Sequence, residues 1–125
     1  MKIDPGSNTP VFEQIADALR SGVVAGLYRP GEAIPSIRAL ALKLLINPNT
    51  ITRAVEQLER EGIIESRKGL GMFVTDAAPE IARTATERSV QSTFTQGIHL
   101  GRAAQLTKAR IDEVYRKAWP DGSKR

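Results

Sequence analysis

A chain of 125 residues has room for one core, or for one small core with an appendage, and excludes a large catalytic domain. It contains no cysteine and one histidine, His99, so disulfides, thiolate metal sites, cysteine nucleophiles and His-pair metal sites are excluded, and any Ser-His-Asp arrangement would depend on that single ring. The net charge of +4 suits a polyanionic partner without demanding one, and it is unevenly spread: residues 1–78 carry nine basic and nine acidic side chains, residues 79–125 nine basic and five acidic.

Total charge would therefore direct a nucleic-acid contact to the wrong half, and any such contact must be argued from the faces that carry the charges. The cysteine count fits a cytoplasmic address. The opening residues lack the basic stretch and apolar run of a signal peptide, and the most apolar run, 39–46, is interrupted by Lys43, so no membrane segment is expected.

In chain order, Thr9-Pro10 reads as a cap followed by proline at the first helical position. Phe12, Ile15, Ala16, Leu19 and Val23 then recur at three- and four-residue spacing, which predicts a first helix ending near Ala25-Gly26. Pro30-Gly31 predicts a turn. Ser36 caps a second helix, because Pro35 disfavours helix before it and Ile37, Leu40, Ala41 and Leu44 form one stripe beyond it. Asn47-Pro48 repeats the device for a third helix, whose buried face is Ile51, Ala54, Val55 and Leu58 and whose stop is Gly62.

Beyond Gly62 the period becomes extended. Residues 63–66 and 72–75 flank Arg67-Lys68-Gly69-Leu70-Gly71, which reads as a β-hairpin with a basic, glycine-rich tip. Three short helices and a hairpin, with two or three residues between the second and third helices, is the arrangement of a winged helix-turn-helix over residues 9–76.

A composition shift at Ala77-Ala78-Pro79 introduces a tail over residues 79–119, read as two helices broken at Gln105-Leu106 with a cap at Thr107. Two amphipathic helices cannot bury their own stripes, so a homodimer is expected, with Val90, Phe94, Ile98, Gly101, Ile111, Val114 and Tyr115 as its interface. Trp119 is expected to pin the last helix to the tail core. The fold class is thus mainly α with a small β-hairpin.

Three sets of residues could carry function. With the third helix in this register, Asn47, Asn49, Thr50, Thr52 and Arg53 lie outward or on its flanks. An Asn amide can offer donor and acceptor to adenine, Arg can grip guanine or phosphate, and Thr can reach phosphate or a thymine methyl. The alternative is that Asn47 only caps and that Arg53 pairs with Glu56 or Gln57 on a solvated face. Arg38 stands off the second helix's stripe, in a first turn where its charge opposes the helix dipole, which favours a phosphate or base contact. The tip Arg67-Lys68-Gly69 combines basic side chains with the glycine that close backbone approach to a narrow groove requires. One docking geometry would use all three sets at once.

Gly69-Leu70-Gly71 lacks the strand-to-helix context of a phosphate-cradling loop. Gly97 and Gly101 permit close helix approach, and His99 reads as a surface or interface residue. An enzyme would need His99 or Glu80, Glu87, Asp112 and Glu113 to converge in a pocket, for which two helices offer little concavity. No enzymatic activity, cofactor or metal is expected.

The chain resembles the GntR family of bacterial transcription regulators. The resemblance rests on six segments in order: residues 10–15, 26–31, 34–41, 47–51, 61–64 and 69–74. It implies a winged helix-turn-helix in which Arg38, in Pro-Ser-x-Arg, contacts DNA together with Asn47, Asn49, Thr50, Thr52, Arg53, Arg67, Lys68 and Gly69, with Ser36 beside Arg38 in that motif. The short tail resembles the YtrA-type subfamily, whose members dimerise through these helices and often regulate transporter operons. Leu45 departs from the glycine that helix-turn-helix turns often hold, which predicts a different turn conformation. Gln105-Leu106-Thr107 departs likewise from a glycine-containing junction.

These readings converge on a homodimeric, sequence-specific DNA-binding regulator of a palindromic operator, a repressor more readily than an activator. An unidentified small-molecule effector is a further candidate partner. The alternative is a winged-helix module for protein assembly, in which the outer face of the third helix meets a protein.

Overall fold

The computed structural model describes residues 1–120. The elements run α1 (Val11–Val24), α2 (Ile37–Leu44), α3 (Pro48–Glu61), β1 (Ile64–Arg67), β2 (Gly71–Val74), α4 (Ala78–Ala103) and α5 (Lys108–Ala118). They form two compact units, Met1–Ala85 and a second beginning at Thr86. The composition shift at 77–79 marks the start of α4, whose first two turns belong to the first unit. Ala78 and Ala82 are fully buried in that unit's core, with Ile81 packed at its edge.

The first unit is organised by one apolar seam. Ile51, Ala54, Val55 and Leu58 of α3 are buried with Ile15, Ala16, Leu19 and Val23 of α1 and Leu40 and Ala41 of α2. Each large side chain taken fully out of water contributes about 1.5–3 kcal/mol, so this seam determines which face of α3 remains outside. The helix starts are set by side chains. Ser36 Oγ accepts from the Ala39 amide at 3.0 Å, and Asn47 Oδ1 accepts from the Asn49 amide at 2.8 Å with Pro48 at the first helical position.

Thr9 does not cap α1. Pro10 occupies that place without a side-chain bond. Gln14 ties the preceding segment down, its Nε2 donating to the Asp4 and Thr9 carbonyls, both at 2.8 Å, and its Oε1 accepting from the Asp4 amide at 2.7 Å.

The turn between α2 and α3 corrects the expectation raised by Leu45. That residue takes the left-handed conformation itself, at φ 55° and ψ 46°, and the Ile46 amide closes onto the Ala41 carbonyl at 3.1 Å. The turn is the one a glycine would make, held by a residue for which it costs about 1–2 kcal/mol.

β1 and β2 pair antiparallel from Ile64 opposite Val74 to Arg67 opposite Gly71. The free edge of β2 is covered by residues 31–34, through Gly31 N to Val74 O, Val74 N to Glu32 O and Ile34 N to Met72 O, at 2.8 to 2.9 Å. This segment, which forms one isolated bridge, Ala33 opposite Phe73, leaves the turn at Pro30-Gly31 and carries too few residues for a periodicity of its own. Thr75 fastens the hairpin to the end of α3, its Oγ1 donating to the Gly62 carbonyl at 2.6 Å. The result is a winged helix-turn-helix, with α2 and α3 as the helical pair and the hairpin as the wing.

In the second unit, the later part of α4 and α5 meet at a tight reversal. Gln105 is left-handed at φ 64°, and the Leu106 amide returns to the Gly101 carbonyl at 3.0 Å. Thr107 Oγ1 caps α5 by accepting from the Arg110 amide at 3.1 Å. Gly101 is buried because Ile111 lies where its side chain would be: a Cβ there would stand 3.0 Å from Ile111 Cδ1. Phe94 and Tyr115 pack edge to face with ring centres 5.9 Å apart, and Trp119 follows Tyr115 at 5.8 Å. Among the described residues no helix is long and apolar enough to cross a membrane.

A polar strap joins α1 to the far end of α3. Arg20 donates to Glu61 through Nε at 2.8 Å and Nη2 at 2.7 Å, and through Nη1 to Asp17 at 2.6 Å, while Gln57 Nε2 donates to Glu61 at 3.2 Å. Burial works against ionisation of Glu61, but the bonds from Arg20 and Gln57 outweigh it and hold the carboxyl below its ordinary value of 4.5. A depressed carboxyl contributes stability that is present above the ordinary carboxylate range and lost as pH falls through its folded-state value. Glu61→Gln is therefore expected to lower stability by about 1 kcal/mol at pH 7, and by less at an acid pH below the ordinary carboxylate range. Denaturant midpoints of both proteins at the two pH values measure this, and an equal difference at both would contradict it.

Candidate nucleic-acid interface

Burying the α3 stripe turns its opposite side to solvent. Asn47 and Asn49 are exposed, and Thr50 and Thr52 are half-buried along the flank. The two asparagines are not equivalent. Asn47 spends an oxygen lone pair on its cap, accepting from the Asn49 backbone N–H, which fixes its orientation, whereas the Asn49 side-chain carboxamide makes no hydrogen bond among the described residues and keeps both donor and acceptor available. Such a carboxamide can donate to N7 and accept from the N6 amino group on the major-groove edge of one adenine.

Arg38 lies in the first turn of α2, exposed, with no ion pair among the described residues. Its neighbours Leu40 and Ala41 are buried, so the backbone that carries it is anchored while its guanidinium is free. Ser36, two residues earlier, is exposed and engaged in capping.

The wing residues divide in the same way. Arg67 pairs with Glu65 at 2.9 Å, and its Cζ lies 4.3 Å from the ring centre of Phe73, which stands directly across the hairpin from Glu65. This arginine is committed to one face of the wing. Lys68 is exposed and has no ion pair among the described residues. Gly69, at φ 76°, occupies the turn closed by the Leu70 amide on the Arg67 carbonyl at 2.9 Å, a place where a side chain would be strained.

Arg53 does not take the alternative of a local partner on a solvated face. It pairs with neither Glu56 nor Gln57, and its Cζ lies 3.9 Å above the ring centre of Phe12 in α1. Phe12 itself, the first member of the apolar repeat of α1, is half-buried at the edge of the core. The partners are 41 positions apart, as are Arg20 and Glu61, so no local pattern could reveal either pair.

In the second unit Val90, Phe94 and Ile98 recur every four residues along α4 and are 44–51% exposed, as are Val114 and Tyr115 of α5. Gly101 and Ile111 instead pack against each other within the helix pair.

Residues 12–74 match the family model described as bacterial regulatory proteins, gntR family. The chain belongs to the GntR family. Among GntR relatives, the HTH-type transcriptional repressor YtrA of Bacillus subtilis (strain 168) is 42% identical over 78 residues, which is 62% of this chain and 60% of that protein. The chain thus matches about 60% of the length of that relative. A GntR family transcriptional regulator from Listeria monocytogenes superposes with a TM-score of 0.74 at 28% identity, covering 90% of this chain and 98% of its own. The AraR(DBD), solved in complex with operator ORX1, superposes with a TM-score of 0.55 at 26% identity over 60% of this chain and 93% of its own.

The exposure of Arg38 predicts a separation of roles in this GntR protein. Arg38→Ala is expected to alter the unfolding free energy by less than about 0.5 kcal/mol, since the side chain is unpaired and its charge sits at the positive end of a helix. Thermal or denaturant unfolding tests this, and a loss above about 2 kcal/mol would show that Arg38 holds the fold.

Proposed function

We propose that this GntR-family regulator is a homodimeric, sequence-specific repressor that binds a palindromic operator. The observation that carries the reading is the set of uncommitted polar groups on one unit: the exposed guanidinium of Arg38, the Asn49 amide on the outer side of α3, and Lys68 beside Gly69 on the wing. These groups would divide the work, with the start of α3 reading base edges in the major groove and Arg38 and the wing fixing register on the backbone and adjacent minor groove. Asn47, Thr50, Thr52 and Arg53 flank the reading residues, and Arg67 stiffens the wing. The operator-bound AraR(DBD) and the repressor YtrA support this assignment by likeness.

Dimerisation is assigned to the second unit, where Val90, Phe94, Ile98, Val114 and Tyr115 leave an apolar face uncovered. A two-fold dimer presents two recognition helices to two half-sites, so symmetry of protein and operator correspond. Occupancy of a promoter would then exclude polymerase. Control by an effector would require a ligand whose affinity differs between two arrangements of the DNA-binding units. No part of this mechanism requires catalysis.

The decisive experiment is titration of the purified protein against the duplex upstream of its own coding sequence, and against a scrambled duplex, across several salt concentrations. Binding at least about 10³-fold tighter to the first duplex, falling steeply with salt, is expected. Arg38→Ala should weaken that binding by about 1–3 kcal/mol. Equal, weak binding to both duplexes would count against an operator in that region. Sedimentation equilibrium addresses the assembly: the protein is expected to be a dimer at micromolar concentration and Phe94→Glu a monomer, and an unchanged mass in the variant would remove this face from the interface.

A further inference from the structure

The stacking of Arg53 on Phe12 lies at the edge of the hydrophobic core and satisfies no carboxylate. The guanidinium lies 3.9 Å above the ring, and its N–H donors make no hydrogen bond or ion pair among the described residues, although Glu13 adjoins Phe12 and Glu56 lies one turn along α3. An arginine on a flexible stem loses rotamer freedom whenever it grips an anion, and one held over an aromatic ring has lost much of it beforehand. The ring backs the guanidinium from one side, and none of its five donors is spent on a partner among the described residues, so they remain open to an oxyanion. Its direction matters as well. The stack draws Arg53, which stands one turn beyond Asn49 on the same side of α3, toward the first turn of α1.

We propose that Phe12 is a positioning residue for DNA binding: it carries the Arg53 guanidinium on its ring face and presents it to a backbone phosphate. Arg53 then grips the duplex independently of sequence and does not read a base. This rests on the DNA-binding reading above, but on neither the operator nor the dimer.

Because a phosphate contact is indifferent to sequence, the test uses a random-sequence duplex of about 30 base pairs at low salt. Arg53→Ala is expected to weaken binding about tenfold near 50 mM salt and to reduce the slope of log affinity against log salt by about one. Phe12→Leu, which keeps an apolar side chain but removes the ring, is expected to weaken binding about two- to fivefold, and Phe12→Tyr to restore it. The combined Phe12→Leu, Arg53→Ala variant should bind no more weakly than Arg53→Ala alone, because Phe12 acts only through Arg53. Melting temperatures verify that each variant is folded, and if Phe12→Leu does not fold, the slope for Arg53→Ala and the affinity of Phe12→Tyr decide the matter.

An unchanged salt slope in Arg53→Ala, an additive combined variant, or equal losses in Phe12→Leu and Phe12→Tyr would each overturn the proposal while wild-type binding leaves the DNA reading intact. Failure of the wild-type protein to bind the duplex at all would overturn both.

Discussion

The surface that the first unit presents depends on how α3 is buried. Ile51, Ala54, Val55 and Leu58 must leave water together, and only one rotation of the helix achieves that against α1 and α2. The same rotation leaves Asn49 outside and Thr50 and Thr52 on the flank. Recognition chemistry and hydrophobic chemistry therefore share one helix without competing, since they occupy opposite sides of it. A substitution that rotated the helix by one residue would bury polar groups and expose the stripe, so the register of the reading surface is protected by the energy of the core.

α1 acts as the frame for that register. It supplies four of the ten residues of the apolar seam and holds α3 by two polar contacts of different character. Toward the start of α3, Phe12 lies under Arg53, and at its end Arg20 forks onto Glu61. The second contact combines partial burial with two bonds from a planar guanidinium, a geometry in which ion pairing contributes more than on an open surface. The wing is fixed by related means: residues 31–34 close its outer edge, Thr75 pins it to Gly62, and Arg67 lies across Phe73. The parts assigned to DNA thus stand on rigid supports, which a reader of base edges needs.

Much of this was legible in the sequence because helix boundaries are local chemistry. Ser36, Asn47 and Thr107 cap their helices through bonds to amides two or three residues away, and Gly62 stops α3 in the left-handed conformation. What escaped was of two kinds. Contacts between residues 41 apart, such as Arg53 with Phe12, leave no periodic trace. Strained backbone is hidden as well: Leu45 and Gln105 adopt left-handed conformations that composition assigns to glycine, and only the surrounding turn compels them. Thr9 was misread because a threonine before a proline satisfies the rule for a cap, while the structure leaves α1 without one and uses Gln14 to fasten the preceding segment. The candidate DNA residues were legible as a set, but the division between committed and free members, Arg67 against Lys68 or Asn47 against Asn49, depends on side-chain partners that only the folded chain assembles.

The central claim is that the outer side of α3, with Arg38 and the wing, forms one DNA-binding surface. It is tested most directly by following the backbone amides of the isotopically labelled protein by NMR while the duplex from upstream of its own coding sequence is added. The account predicts that the largest shifts fall at Arg38, at Asn47, Asn49, Thr50, Thr52 and Arg53 and at Lys68 and Gly69, with Ala54, Val55 and Leu58 of the buried stripe unmoved. Shifts confined to the second unit, or spread evenly over the exposed surface, would contradict it.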